Sequence, residues 1–131
     1  MEKWASLPLR LGLGIIFIGH GAQKAFGIFG GPGIQGFAKM LASLKFSPAT
    51  PLAYLIAYIE LICGLLLIMG LVTRISASSL LAIMIVAIFK VHLSGGLFLA
   101  KGGFEFALIL ACACISLILS GPGKFSITPE L

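Results

Sequence analysis

The sequence predicts an all-α integral membrane protein, built as a four-helix bundle with a short amphipathic helix between the first and second spans. Hydrophobic residues make up 60% of its 131 residues and charged residues only 10%, whereas about a quarter of the residues in soluble domains are charged. Four apolar runs recur along the chain, each near the roughly 20 residues that a membrane crossing needs. Segments rich in glycine and proline separate several of these runs.

Each apolar run is predicted to form one spanning helix, because a helix satisfies all its backbone hydrogen bonds within a single segment in lipid. Pro8 lies near the start of the first run, where the opening turn of a helix tolerates proline. Gly121-Pro122-Gly123 ends the last run. The predicted spans cover residues 7–29, 51–72, 75–99 and 104–120.

The segment at residues 34–46 predicts a surface helix rather than a fifth crossing. Its apolar side chains recur at positions 34, 37, 38, 41 and 44, which is the spacing of one helix face. Gln35, Lys39 and Ser43 fall on the rest of the helix surface. Because the segment is too short to cross a bilayer, we expect it to lie at the membrane interface or to fold over the mouth of the bundle.

The charge balance favours a lipid partner. Nine Lys and Arg against four Asp and Glu give a net charge of +5, which in a soluble protein would favour nucleic-acid binding. Here too little polar surface remains to form a basic groove, so we expect an anionic lipid bilayer as partner and no nucleic acid. The basic residues divide almost evenly between the two sides of the bundle. Arg74, which lies in a very short loop, favours an orientation of the cell-membrane protein with both termini on the inner side.

Metal and disulfide chemistry find little support. Cys63, Cys112 and Cys114 all lie in apolar runs, and their odd number without CxxC spacing argues against a disulfide framework or a zinc site. Two histidines on separate spans are too few to specify a haem or a metal site. We therefore predict no metal ligands.

Polar side chains of three different spans are predicted to share one depth. Antiparallel threading brings the ends of spans one and three to the same side as the start of span four. The residues at that depth are His20, Gln23, Lys24, Lys90, His92 and Glu105. Glu60 lies below them near the membrane midplane, where an ionisable group must be protonated, paired or functional. We expect a polar pocket that His92 faces, while Lys90 reaches the lipid headgroups.

The order of these residues resembles the DoxX family over nearly the whole chain. The residues that carry the resemblance are Leu9-Arg10-Leu11-Gly12-Leu13-Gly14, Gly19-His20-Gly21, Lys24, Glu60, Thr73-Arg74, His92, Glu105 and Gly121-Pro122-Gly123. The resemblance implies a single DoxX-like domain over residues 1–131. It also implies a relation to the large subunit of an archaeal thiosulfate:quinone oxidoreductase and to proteins linked with thiol and oxidative stress.

Three functions follow from the pocket and the resemblance. The first is a quinone-linked membrane oxidoreductase, or the membrane subunit of a redox complex. Its predicted catalytic residues are Glu60, His20, His92 and Glu105, and its cofactor-binding residues are His20, Lys24, Gln23 and Arg10. In this function a histidine donates to a quinone carbonyl and Lys24 stabilises the reduced anion. The carboxylates of Glu60 and Glu105 relay protons.

The second function is a carrier or binding protein for a small anion or a lipid-like molecule, in which the same pocket transfers no electrons. The third is a scaffold that holds a soluble redox enzyme at the membrane. Whether the chain catalyses a reaction by itself stays open at this point. The glycines of the first span suit close helix packing, so a homo-oligomer is compatible with all three functions.

Overall fold

The computed structural model describes residues 2–127 and confirms the all-helical fold class, with no strand in that range. Its five α-helices are α1 (Glu2–Phe26), α2 (Gly33–Ser43), α3 (Ala49–Met69), α4 (Thr73–Ala87) and α5 (Glu105–Ser120). α4 continues without a break into a π-helical turn, Ile88–His92, and a 3₁₀ turn, Leu93–Gly95. A second 3₁₀ turn, Leu99–Lys101, lies in the loop before α5.

Three helical segments are long and apolar enough to cross a membrane, whereas the sequence predicted four. Within the described residues, these segments are Lys3–Phe26, Ala49–Met69 and Thr73–Gly95. The fourth predicted span forms α5, which is apolar but has only 16 residues. At 1.5 Å per residue it is about 24 Å long, which is shorter than the roughly 30 Å hydrocarbon core of a bilayer.

α1 begins earlier than the predicted first span and runs through Pro8, so this proline does not mark the start of the helix. The C-terminal tail holds the first turns of α1 in place. The backbone N–H of Lys124 donates to the carbonyl of Lys3 at 2.7 Å, and the hydroxyls of Ser6 and Ser120 are 3.1 Å apart. Because these contacts join opposite ends of the chain, no local sequence pattern reveals them.

The other boundaries differ from the predictions by a few residues. Helical structure after α4 stops at Gly95, short of the predicted limit at residue 99, because Gly96 adopts a positive φ of +72° that leaves the helix. Leu99 belongs instead to the separate 3₁₀ turn. The predicted surface helix is confirmed as α2, which ends at Ser43, just before Lys45 with its φ of +67°.

The four longer helices pack in the order α1, α3, α4 and α5, and α5 returns to contact α1. α2 lies across α1 and α3. The main apolar core contains Leu13, Phe17, Leu67, Leu80, Leu110 and Leu117. A smaller apolar cluster fastens α2 to α3 through Phe37, Ala38, Leu41 and Ala53.

Glycines allow α1 and α3 to approach closely. A Cβ atom placed on Gly14 would lie 2.7 Å from the carbonyl oxygen of Gly64, and one placed on Gly21 would lie 2.8 Å from the backbone nitrogen of Leu61. No side chain larger than hydrogen fits at such distances without moving the helices. The opposite holds at Gly12, where an added Cβ would meet no atom within 4 Å.

Arg10 anchors the C-terminal tail to the bundle. Its side chain is fully buried, and Nη2 donates to the backbone carbonyls of Lys124 at 3.1 Å and Phe125 at 3.2 Å. The N–H of Ile127 donates to the carbonyl of Gly70 at 3.1 Å, which fixes the tail against the end of α3. The end of the bundle that holds both termini therefore depends on a buried cation that donates to backbone carbonyls.

We predict that Gly14→Ala destabilises the protein and that Gly12→Ala does not. The added methyl group at position 14 collides with α3, and overpacking of this kind costs about 1–3 kcal/mol. The same substitution at position 12 meets open space. Thermal unfolding in detergent, followed by circular dichroism, should show a lower midpoint for Gly14→Ala alone. Equal midpoints for the two variants would contradict the packing described here.

We also predict that Arg10→Met exposes the tail to trypsin at the bond between Lys124 and Phe125. The substitution removes both side-chain hydrogen bonds that hold this segment, so the tail should detach more often. Mass spectrometry of a digestion time course measures the cleavage rate, and cleavage after exposed Lys101 serves as the reference within the same molecule. An unchanged ratio of the two rates would show that Arg10 does not hold the tail.

Candidate functional site

An ion pair between α1 and α3 lies at the centre of the site. Lys24 Nζ and Glu60 Oε1 are 2.5 Å apart, and the Glu60 side chain is completely buried while that of Lys24 is 21% exposed. Of the three states that the sequence allowed for Glu60, the structure shows the paired one. Its second oxygen, Oε2, is also buried and has no hydrogen-bond partner. A buried acceptor without a partner is unfavourable, so this atom marks a place where a ligand can donate.

An inner cavity of about 130 Å³ opens beside Glu60. Most of its lining is apolar, and its polar side chains come from α1, α3 and the π-helical turn. The lining residues are Phe17, His20, Lys24, Glu60, Met84, Ala87, His92, Leu99, Gly103, Phe106, Ala107 and Leu110. An apolar space with a few convergent polar groups is the usual form of a small-molecule site.

The π-helical turn Ile88–His92 places His92 at this cavity. Its Nδ1 lies 3.2 Å from the carbonyl oxygen of Gly102. Because a carbonyl oxygen only accepts, Nδ1 carries the hydrogen in this contact, and in a neutral ring Nε2 is then left as an acceptor. Lys90, two residues earlier, is exposed and lines neither this cavity nor the outer cavity described below. The sequence contains no signal for the π turn, which inserts an extra residue into one helical turn.

His20 lies where the inner cavity meets the surface. Its ring packs against Phe106, with the ring centroids 6.2 Å apart and the planes inclined by 45°. His20 is exposed on its other side and also lines a shallow groove between α1 and α5. Its imidazole is therefore accessible both to a ligand in the cavity and to the outside.

An outer cavity of about 310 Å³ lies between α2 and α4 and adjoins the inner one. Its lining residues are His20, Lys24, Phe37, Met40, Leu41, Leu44, Phe46, Ile56, Ile83, Met84, Val86, Ala87, Val91 and His92. The ring of Phe37 on α2 lies 5.2 Å from Lys24 Nζ, a cation–π distance. The surface helix therefore covers the ion pair. Of the two positions that its sequence allowed, it takes the one over the mouth of the bundle.

Of the predicted site residues, the structure brings His20, Lys24, Glu60 and His92 together and places the other three elsewhere. Gln23 Nε2 donates to the carbonyl of Phe29 at 3.1 Å and steadies the turn after α1. Glu105 Oε1 accepts from the N–H of Leu99 at 2.8 Å, so it holds the loop whose Leu99 lines the inner cavity.

Arg10 is on the same helix as His20 but lies far from both cavities. The two residues are ten positions apart on α1, which is about 15 Å along the helix axis. Arg10 binds the C-terminal tail at the other end of the bundle. It therefore has no contact with the cavity where its predicted cofactor would lie.

Several cavity residues are not among the predicted site residues. Met84 and Phe106 line the inner cavity, and no feature of their sequence neighbourhood separates them from ordinary core residues. Phe37 was recognisable only as part of the apolar face of α2. Across residues 2–127, no group of three or more His, Cys, Asp or Glu side chains is placed to hold a metal ion.

Comparison with known proteins identifies the family. The sequence model of the DoxX family matches residues 5–93, a range that contains all four clustered site residues. The chain is 32% identical to a Mycobacterium tuberculosis protein named "uncharacterized membrane protein Rv3486", over 94% of this chain and 78% of that protein. It is 34% identical to a Bacillus subtilis protein named "putative oxidoreductase CatD", over 95% of this chain and 84% of that protein. No solved structure shows a significant match. The chain therefore belongs to the DoxX family of membrane proteins.

Proposed function

We propose that this chain is the quinone-binding membrane subunit of an oxidoreductase in the cell membrane, with α5 as a fourth, short crossing. The observation that carries the proposal is Glu60 Oε2, a fully buried acceptor without a partner at the edge of a small apolar cavity. A flat apolar ring with oxygen atoms on its rim fits such a space. The name of the Bacillus subtilis relative supports a redox role over a purely structural one.

The donors and acceptors of the inner cavity suit a quinone that alternates with its hydroxyl-bearing reduced form. A carboxylate only accepts hydrogen bonds, so Glu60 Oε2 is satisfied by a hydroxyl group. His92 Nε2 offers a second acceptor in the neutral ring, and the imidazole of His20 is available to donate to a carbonyl oxygen. When bound, the quinone would supply reversible two-electron, two-proton chemistry.

Proton movement at the site would start at the buried carboxylate. Glu60 has no exposed surface, so a proton accepted at Oε2 can leave only past neighbouring side chains. Lys24 is paired with the other carboxylate oxygen, so Oε2 is the oxygen that is left to accept a hydrogen bond or a proton from a ligand. His20 lies between the cavity and the surface and is placed to pass protons outward.

The site favours a ligand whose polar part is neutral over the small anion that a carrier protein would bind. The lysine that lines both cavities is already neutralised by Glu60 at 2.5 Å. An anionic ligand would compete with Glu60 for this cation and would leave a buried carboxylate unpaired, which is strongly unfavourable. A neutral ring leaves the pair intact.

The electrons would come from a second protein. Cys63, Cys112 and Cys114 are all free thiols, and Cys114 is fully buried in the core, so they do not form a redox-active disulfide. The described residues also include no group of three or more His, Cys, Asp or Glu side chains that could hold a metal ion. We propose that a soluble redox partner supplies the electrons, which joins the oxidoreductase and scaffold functions into one.

We predict that Glu60→Gln weakens the binding of duroquinol by about tenfold or more, because a hydrogen bond to a charged group contributes roughly 1.5–3 kcal/mol. The matched control is Glu105→Gln, which removes a carboxylate that lies outside the cavity. Calorimetric titration of the protein in lipid nanodiscs measures both affinities. If both variants bind duroquinol as the unsubstituted protein does, Glu60 is not a ligand-binding residue.

We further predict that Lys24→Met destabilises the protein more than the double variant Lys24→Met/Glu60→Gln does. The single substitution leaves a buried carboxylate without a cation, a change that costs about 3–5 kcal/mol for fully buried pairs. The cost is smaller here because the lysine is 21% exposed. Thermal unfolding midpoints in detergent compare the two variants. A double variant that is less stable than Lys24→Met would contradict the pairing.

A further inference from the structure

The outer cavity has no role in the proposed function, although it lies directly beside the inner one. At about 310 Å³ it is more than twice as large as the inner cavity of about 130 Å³. Apart from His20, Lys24 and His92, every side chain that lines it is apolar. A space of this composition offers water few partners and is suited to hydrocarbon.

The two cavities adjoin each other along a set of shared side chains. They share five lining residues, His20, Lys24, Met84, Ala87 and His92. All of these come from α1 and from α4 with its π turn, so the two spaces meet between these helices. One molecule can therefore place a polar ring in the inner cavity and an apolar part in the outer cavity.

α2 forms the roof of the outer cavity. Phe37 marks the junction, since its ring lies over Lys24 Nζ and also lines the outer cavity. Beyond it, Met40 and Leu44 extend the apolar surface toward Val91 on the π turn. Methionine adapts its shape to irregular apolar ligands, so this roof suits a flexible chain.

We infer that the outer cavity is a chain-binding subsite that accommodates the alkyl or isoprenoid chain of a lipid-soluble quinone. The inference rests on the proposed function, because it needs the quinone ring in the inner cavity. The bilayer and the outer cavity are both apolar, so the chain gains little free energy by moving from one to the other. The subsite therefore acts by giving the chain a place to lie, which lets the ring reach Glu60.

Two probes test the subsite. Duroquinone has no chain, whereas the ring of decylubiquinone bears one decyl chain. Leu44→Trp narrows the outer cavity with a bulky side chain and leaves the lining of the inner cavity unchanged. The matched control is Ala42→Trp, which introduces the same side chain at an exposed position of α2 outside both cavities.

In nanodiscs of fixed lipid composition, Leu44→Trp should weaken decylubiquinone binding by about tenfold or more, since a narrowed site resists further packing. It should leave duroquinone binding unchanged, and Ala42→Trp should affect neither probe. If Leu44→Trp weakens both probes equally, or neither, the subsite is overturned while the quinone function stands. If the unsubstituted protein binds neither probe, the quinone function itself fails, and the subsite fails with it.

A labelling experiment covers the case in which Leu44→Trp does not fold. A quinone with a photoreactive diazirine at the end of its chain is bound to the unsubstituted protein, activated by light and located by mass spectrometry. Labels on Met40, Leu44 or Val91 support the subsite. Labels on Ile15 or Gly19, in the groove between α1 and α5, would show that the chain leaves by the other side and would overturn it.

Discussion

The buried carboxylate of Glu60 requires a cation, and this requirement organises the end of the bundle that contains the two cavities. Lys24 reaches it from α1, which packs closely against α3 at Gly14, Gly21 and Gly64. Close backbone packing and charge pairing thus support each other along a single helix interface. Neither an ionised Glu60 nor its lysine would be stable at this depth alone.

The surface helix α2 completes this arrangement. Its apolar face fastens to α3 near Ala53, and Phe37 covers the lysine of the ion pair. The apolar face of α2 does not reach α4 everywhere, and the outer cavity lies in the space between the two helices. One amphipathic helix therefore shields a charge pair from water and also shapes an apolar space beside it.

The two ends of the bundle solve the problem of a buried cation differently. At the terminal end, Arg10 Nη2 donates to two backbone carbonyls of the tail, while Nε and Nη1 are buried without a partner among the described residues. At the other end, Lys24 is bound by one carboxylate oxygen, and the second oxygen stays without a partner. The first arrangement stabilises the fold, and the second leaves an acceptor for a ligand.

The sequence by itself determined the helical membrane fold, the surface helix and the depth of each polar residue, because depth follows from the 1.5 Å rise per residue. The positions of His20, Lys24, Glu60 and His92 along their helices therefore predicted that they lie in one region of the bundle. Only the tertiary structure decided the direction of each side chain, since helix rotation depends on packing and on the π turn before Leu93. Residues of similar depth thus separated into cavity-lining histidines and a Glu105 that holds a loop.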